Sequence, residues 1–164
     1  QYTNALALVV LSALLAYYEP RPAETVAPAD TAPKPSGAKI PELPPMDALD
    51  PEVAALVGEL NSFGEDTEPQ LIASMYRHLA YWPAYLALVR TMLSPLQRQG
   101  RLNALTVSTR ALGYAHGAAL APQLKPATPP DTLKGALGSC RLFVEHPIAR
   151  MTGLCALIRR ATPA

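Results

Sequence analysis

The chain has 164 residues, 49% of them hydrophobic and 16% charged, with 14 basic side chains against 13 acidic ones and a formal net charge of +1. That length suits one domain with a real core and is short for two. The even charge balance argues against nucleic acid, which needs a clustered basic face. Cys140 and Cys155, with no CxxC and no nearby histidine spacing, read as reduced core thiols of a cytoplasmic protein, not as a disulfide or a zinc site.

The chain begins at Gln1, which reads as processing or as a cut from a longer protein. Residues 5–16 are uninterruptedly apolar apart from Ser12. A membrane span needs about twenty such residues, and a secretory signal would carry a basic stretch in front. The run therefore predicts a buried helix over 4–18, ended by Glu19-Pro20. A helix this apolar must pack on this chain, on another chain, or on a missing N-terminal part.

Residues 19–47 read as a Pro/Ala-rich linker with little to bury; nine of the 18 prolines fall between Pro20 and Pro51. A helix is predicted from Pro51 to Asn61, with Asp50 as N-cap, Pro51 at the first helical position and a stripe of Val53, Leu56, Val57 and Leu60. Phe63-Gly64 ends it. The next helix is expected from Thr67, with Pro69 in its first turn and Leu71, Ile72, Met75 and Leu79 on one face. Trp82-Pro83 marks a boundary. Pro83 opens a helix to about Leu93, and Pro95 another reaching Leu120. Beyond a turn at Pro122–Pro130, Asp131 caps a helix to Glu145, and Pro147 starts the last, which ends near Arg160. No stretch alternates with a period of two, so the fold class is all-α.

Functional side chains are densest in Ala73-Ser74-Met75-Tyr76-Arg77-His78-Leu79-Ala80-Tyr81-Trp82-Pro83-Ala84-Tyr85-Leu86. This run resembles the second repeat of the group I, configuration-non-specific 2-haloacid dehalogenases. In that family a Ser-Asp pair is followed by Leu-Ala-x-Trp-Pro, and Ser74, Leu79, Ala80, Trp82 and Pro83 match. Tyr2, Thr3 and Asn4 match a Tyr-x-Asn that precedes a leucine-rich helix at the end of the family's first repeat. The resemblance implies one helical repeat of a two-repeat, pseudo-dimeric fold: residues 1–18 as the tail of repeat one, 19–47 as the linker and 48–164 as repeat two. Most of the first repeat would then be absent, and the chain is expected to form a homodimer or to pack against that missing repeat. The implied chemistry is hydrolysis of a 2-haloacid by water, activated by an aspartate, without a cofactor.

The sequence departs from that pattern at the decisive place. Met75 stands where the family has its catalytic aspartate, and a thioether has no useful basicity. Ala7 replaces a family tyrosine, whereas Asn4 and Ser74 keep polar pocket positions. The expected pocket for a small carboxylic acid comprises Asn4, Ser74, Met75, Arg77, His78 and Trp82. His78 is the candidate substitute base, having a suitable unperturbed pKa one turn from Met75. Arg77 can pair with a carboxylate through its planar fork. The bland readings stand beside these: Met75 as core in line with Leu71 and Leu79, His78 and Arg77 as packed or surface residues, and the Tyr76, Tyr81, Trp82 and Tyr85 rings as anchors of a helix corner. Gly113 and Gly117 around His116 point to close helix contact, and Glu145-His146-Pro147 to a helix junction. Three functions follow: a relative that has lost dehalogenation but keeps a small-molecule pocket, a hydrolase using another base, and a helical assembly subunit docking through residues 5–16.

Overall fold

The computed structural model describes residues 2–20, 41–65, 71–125 and 133–162, and among these there is no strand. The helices are α1 (Tyr2–Tyr18), α2 (Pro51–Ser62), α3 (Ser74–Leu79), α4 (Pro83–Arg98), α5 (Arg101–Leu120), α6 (Leu133–Phe143) and α7 (Ala149–Ala161). The start expected at Thr67–Pro69, the cap expected at Asp131 and most of the linker lie outside the described residues. Contacts gather into two compact units, one holding α1 with the chain from Thr106 onward, the other running to Leu105.

In the first unit α1 packs on α6 and α7, as its composition demands. Leu8 and Leu15 meet Val144, Ile148 and Ala149, with Leu11, Tyr114, Leu137 and Cys140 around them. The outer face of α1 stays exposed at Leu6, Val10 and Tyr17. Against α5 the approach is so close that only glycine fits: a Cβ on Gly117 would lie 2.5 Å from Ser12 Cβ and 2.6 Å from the Ser12 carbonyl carbon. At Gly113 a Cβ would meet only side-chain atoms of Leu8, and Ala16, Ala118 and Ala121 continue the seam. The helix contact expected from Gly113 and Gly117 is there.

Pro147 does not start a helix. It sits inside a π-helical turn, Val144–Ile148, that joins α6 to α7 without a break. Proline has no N–H to donate and its ring crowds the carbonyl one turn back. A wider turn absorbs both defects and the helix continues.

The second unit pairs α2 with α4 and seats α3 against both. Asp50 caps α2 by accepting from the Glu52 amide at 2.9 Å, and Val57 and Leu60 are fully buried. On α4 the buried stripe is Leu86, Val89 and Leu93, spaced as a helix face requires. Pro95 lies inside α4 and does not open a new helix; the break comes at Gly100, whose φ of 69° is the left-handed conformation that glycine adopts without strain.

Candidate functional site

A polar cluster of the second unit lies at the corner between α3 and α4, and its shape begins with Asn61. That side chain is 2% exposed at the end of α2. Its Nδ2 donates to the Leu71 carbonyl at 3.0 Å, and its Oδ1 accepts from the Ala73 amide at 2.9 Å. The amide thus satisfies backbone groups on either side of Ile72 and holds 71–73 out of helix. For that reason α3 starts at Ser74, and Leu71 and Ile72 are 61% and 41% exposed instead of sharing a face with Met75. The expected core line Leu71-Met75-Leu79 is replaced by Tyr76, the fully buried residue of α3, while Met75 and Leu79 are half-buried.

Ala80 and Tyr81 close α3 with amides bonded to the Arg77 and His78 carbonyls. Trp82 follows as N-cap of α4 at φ −129°, ψ 75°, with Pro83 at the first helical position. This tight joint sets Arg77, His78 and Tyr81 along one edge.

All three donate to the backbone of a single extended segment. Arg77 places Nε and Nη2 on the Pro44 carbonyl at 2.9 and 2.6 Å. His78 Nε2 lies 3.2 Å from the Pro41 carbonyl and, since a carbonyl only accepts, carries the proton. Tyr81 Oη donates to the Glu42 carbonyl at 2.9 Å. Residues 41–45 therefore form a strap over α3, running into a 3-10 turn at Met46–Ala48 that leads to α2. Sequence reasoning missed this strap. Its signal was Pro41-Glu42-Leu43-Pro44, two prolines one polyproline turn apart.

The expected pocket residues are thus distributed as follows. Ser74, Met75, Arg77, His78 and Trp82 lie together on α3 and its junction with α4, with Ser74 exposed and Trp82 55% exposed. Asn4 belongs to the other unit, where Nδ2 donates to Cys155 Sγ at 3.9 Å. Burial pushes the Cys155 thiol above its ordinary pKa, keeping it neutral. Cys140 and Cys155 are both free thiols, half-buried. Also in the first unit, Tyr114 Oη donates to Glu145 Oε1 at 3.2 Å and Arg110 Nη1 to the Glu145 carbonyl at 3.3 Å, bracing the π turn from α5.

A shallow groove between α2 and α4 is lined by Ala55, Leu56, Ala87 and Thr91 and edged by the exposed Arg90–Glu59 pair, 2.8 Å apart. An ion pair this exposed contributes little to stability. Among the described residues no helix is long and apolar enough to cross a membrane, and no three His, Cys, Asp or Glu side chains are grouped as metal ligands would be. No protein-family model matches the chain, and neither a curated protein nor a solved structure matches it.

Proposed function

We infer that this chain is a helical relative of the 2-haloacid dehalogenases that has lost their hydrolysis and retains binding, with residues 48–164 as one repeat of a two-repeat, pseudo-dimeric fold. The carrying observation is Met75 at the position of the family's base. General-base chemistry needs an acceptor within hydrogen-bond reach of a water that faces the carbon under attack. Met75 offers a thioether. Arg77 is permanently protonated and spends two donors on the Pro44 carbonyl, and His78 is tied to the same segment through Nε2, which donates to the Pro41 carbonyl. The free thiols suit a reducing compartment, hence a cytoplasmic protein.

The test is chloride release from both enantiomers of 2-chloropropionate. The expected result is no release above the buffer rate with either enantiomer. Turnover on the order of 1 per second, as in ordinary enzymes, would overturn the reading in favour of a hydrolase with another base.

The assembly reading has an observation of its own. Helix α1 carries no charged residue from Tyr2 to Tyr18, yet Leu6, Val10 and Tyr17 are exposed on it. An uncharged apolar face has nothing to repel a second copy across a two-fold axis, so a homodimer is expected. Light scattering at micromolar concentration should give twice the chain mass; a clean monomer would reject this assembly.

A further inference from the structure

The α3–α4 corner recognises backbone, and the backbone it recognises is proline-rich. Each of the bonds from Arg77, His78 and Tyr81 ends on a main-chain carbonyl of Pro41–Pro44. A proline-rich strand is a ligand made largely of carbonyls. Its prolines have no N–H, and the extended conformation leaves each C=O without an internal partner. Polyproline repeats every three residues, so the carbonyls of Pro41 and Pro44 lie on one edge, and these are the two that His78 and Arg77 take. Pro45, at the end of the segment, has φ −66° and ψ 150°, the polyproline conformation.

The strap leaves part of the corner uncovered. Tyr81 and Trp82 are 48% and 55% exposed, their rings edge-to-face at 6.1 Å. Exposed aromatic rings beside donors aimed at carbonyls are the chemistry by which proteins hold proline-rich segments. We propose that this corner is a recognition surface for extended proline-rich segments of a partner protein, with Pro41–Pro45 as its resident occupant in cis. The partner is set by that chemistry: a Pro-x-x-Pro strand long enough to lie across Trp82 as well as take the three donors. It exchanges with a tethered strap whose effective concentration is on the order of millimolar. The inference does not rest on the dehalogenase resemblance, and chloride release does not bear on it.

Trp82 is the chain's single tryptophan, so its emission reports on this corner alone. The probe is a synthetic peptide of repeated Pro-Glu-Leu-Pro units; the control has glycine for every proline. In a variant with Pro41→Gly, Pro44→Gly and Pro45→Gly, helical by circular dichroism, the peptide should shift Trp82 emission saturably. It should bind about tenfold tighter or more than to the unsubstituted protein, because the competing strap is weakened. Adding Arg77→Gln and Tyr81→Phe should abolish the shift. No saturable change in the folded triple variant, or an equal response to the glycine control, overturns the proposal. Should the triple variant unfold, the unsubstituted protein is read by NMR. Its Glu42 and Leu43 amide resonances should move at about millimolar peptide, and unmoved resonances overturn the proposal equally.

Discussion

At the scale of single residues, the informative side chains are those whose polarity disagrees with their surroundings. Ser12 is fully buried in the α1–α5 seam, and its Oγ has no hydrogen-bond partner among the described residues. A buried hydroxyl left unsatisfied costs about 1–3 kcal/mol. Ser12→Ala keeps the Cβ that touches Gly117 and removes only the oxygen, so it should stabilise the protein by about 1 kcal/mol, seen as a higher midpoint in urea. Cys155 makes the complementary case. Its folded pKa is raised by burial, so the folded state holds the thiol proton more tightly than the unfolded chain does. That stability is fully present below the ordinary thiol pKa of 9.0 and is lost as pH rises from there through the raised folded pKa. Unfolding curves at pH 7 and pH 10 should show a larger loss for the unsubstituted protein than for Cys155→Ala; equal losses would remove Cys155 as a cause. None of these environments was legible beforehand. Ser12 looked like a neutral interruption in an apolar run, and Asn61 like a plain helix end. Whether a polar atom finds a partner depends on residues far away in the chain.

At the scale of elements, the sequence was most readable where one local rule acted alone. Asp50-Pro51 marked the start of α2, Glu19-Pro20 the end of α1, and Trp82-Pro83 the start of α4. Reading failed where two rules met. Pro95 and Pro147 both looked like helix starts, but each costs its helix one donor and some crowding, which α4 and the π turn absorb. Gly100 was the true stop, because only a residue at ease with φ of 69° turns the chain there. Gly113 and Gly117, inside α5, act through space instead. Alanine at Gly113 or Gly117 gains the same helix propensity, about 1 kcal/mol, so any difference between the two reports packing. A Cβ at Gly113 meets Leu8 Cγ and Cδ atoms, which can rotate away. At Gly117 it meets the Ser12 carbonyl carbon at 2.6 Å and the Ala13 nitrogen at 2.7 Å, so α1 itself must move. Overpacking of that kind costs about 1–3 kcal/mol. Urea unfolding should therefore rank Gly117→Ala well below Gly113→Ala in stability, at similar m-values. Equal midpoints would mean that the seam is looser than these distances.

At the scale of the whole molecule, periodicity and proline placement made the all-helical class readable, whereas the grouping of the helices was not. Nothing in the pattern of α1 says that it shares a unit with residues beyond Thr106, because partner choice depends on matching surfaces that no single helix displays. The candidate site was legible to the same degree: the cluster at Ser74–Trp82 stood out by composition, but the strap that occupies it came from a stretch dismissed as linker. The division into two units carries a consequence for how the chain opens. Leu154 on α7 and Leu86 on α4 are each fully buried, one in either unit. Truncating such a leucine to alanine costs about 2–5 kcal/mol, and local opening follows units that share buried contacts. Leu154→Ala should therefore speed hydrogen exchange of amides in α1, α6 and α7 while α2 and α4 keep their protection. Leu86→Ala should do the reverse. A uniform loss of protection across all helices in either variant would show that the chain unfolds as a single cooperative body, whatever the grouping of its contacts.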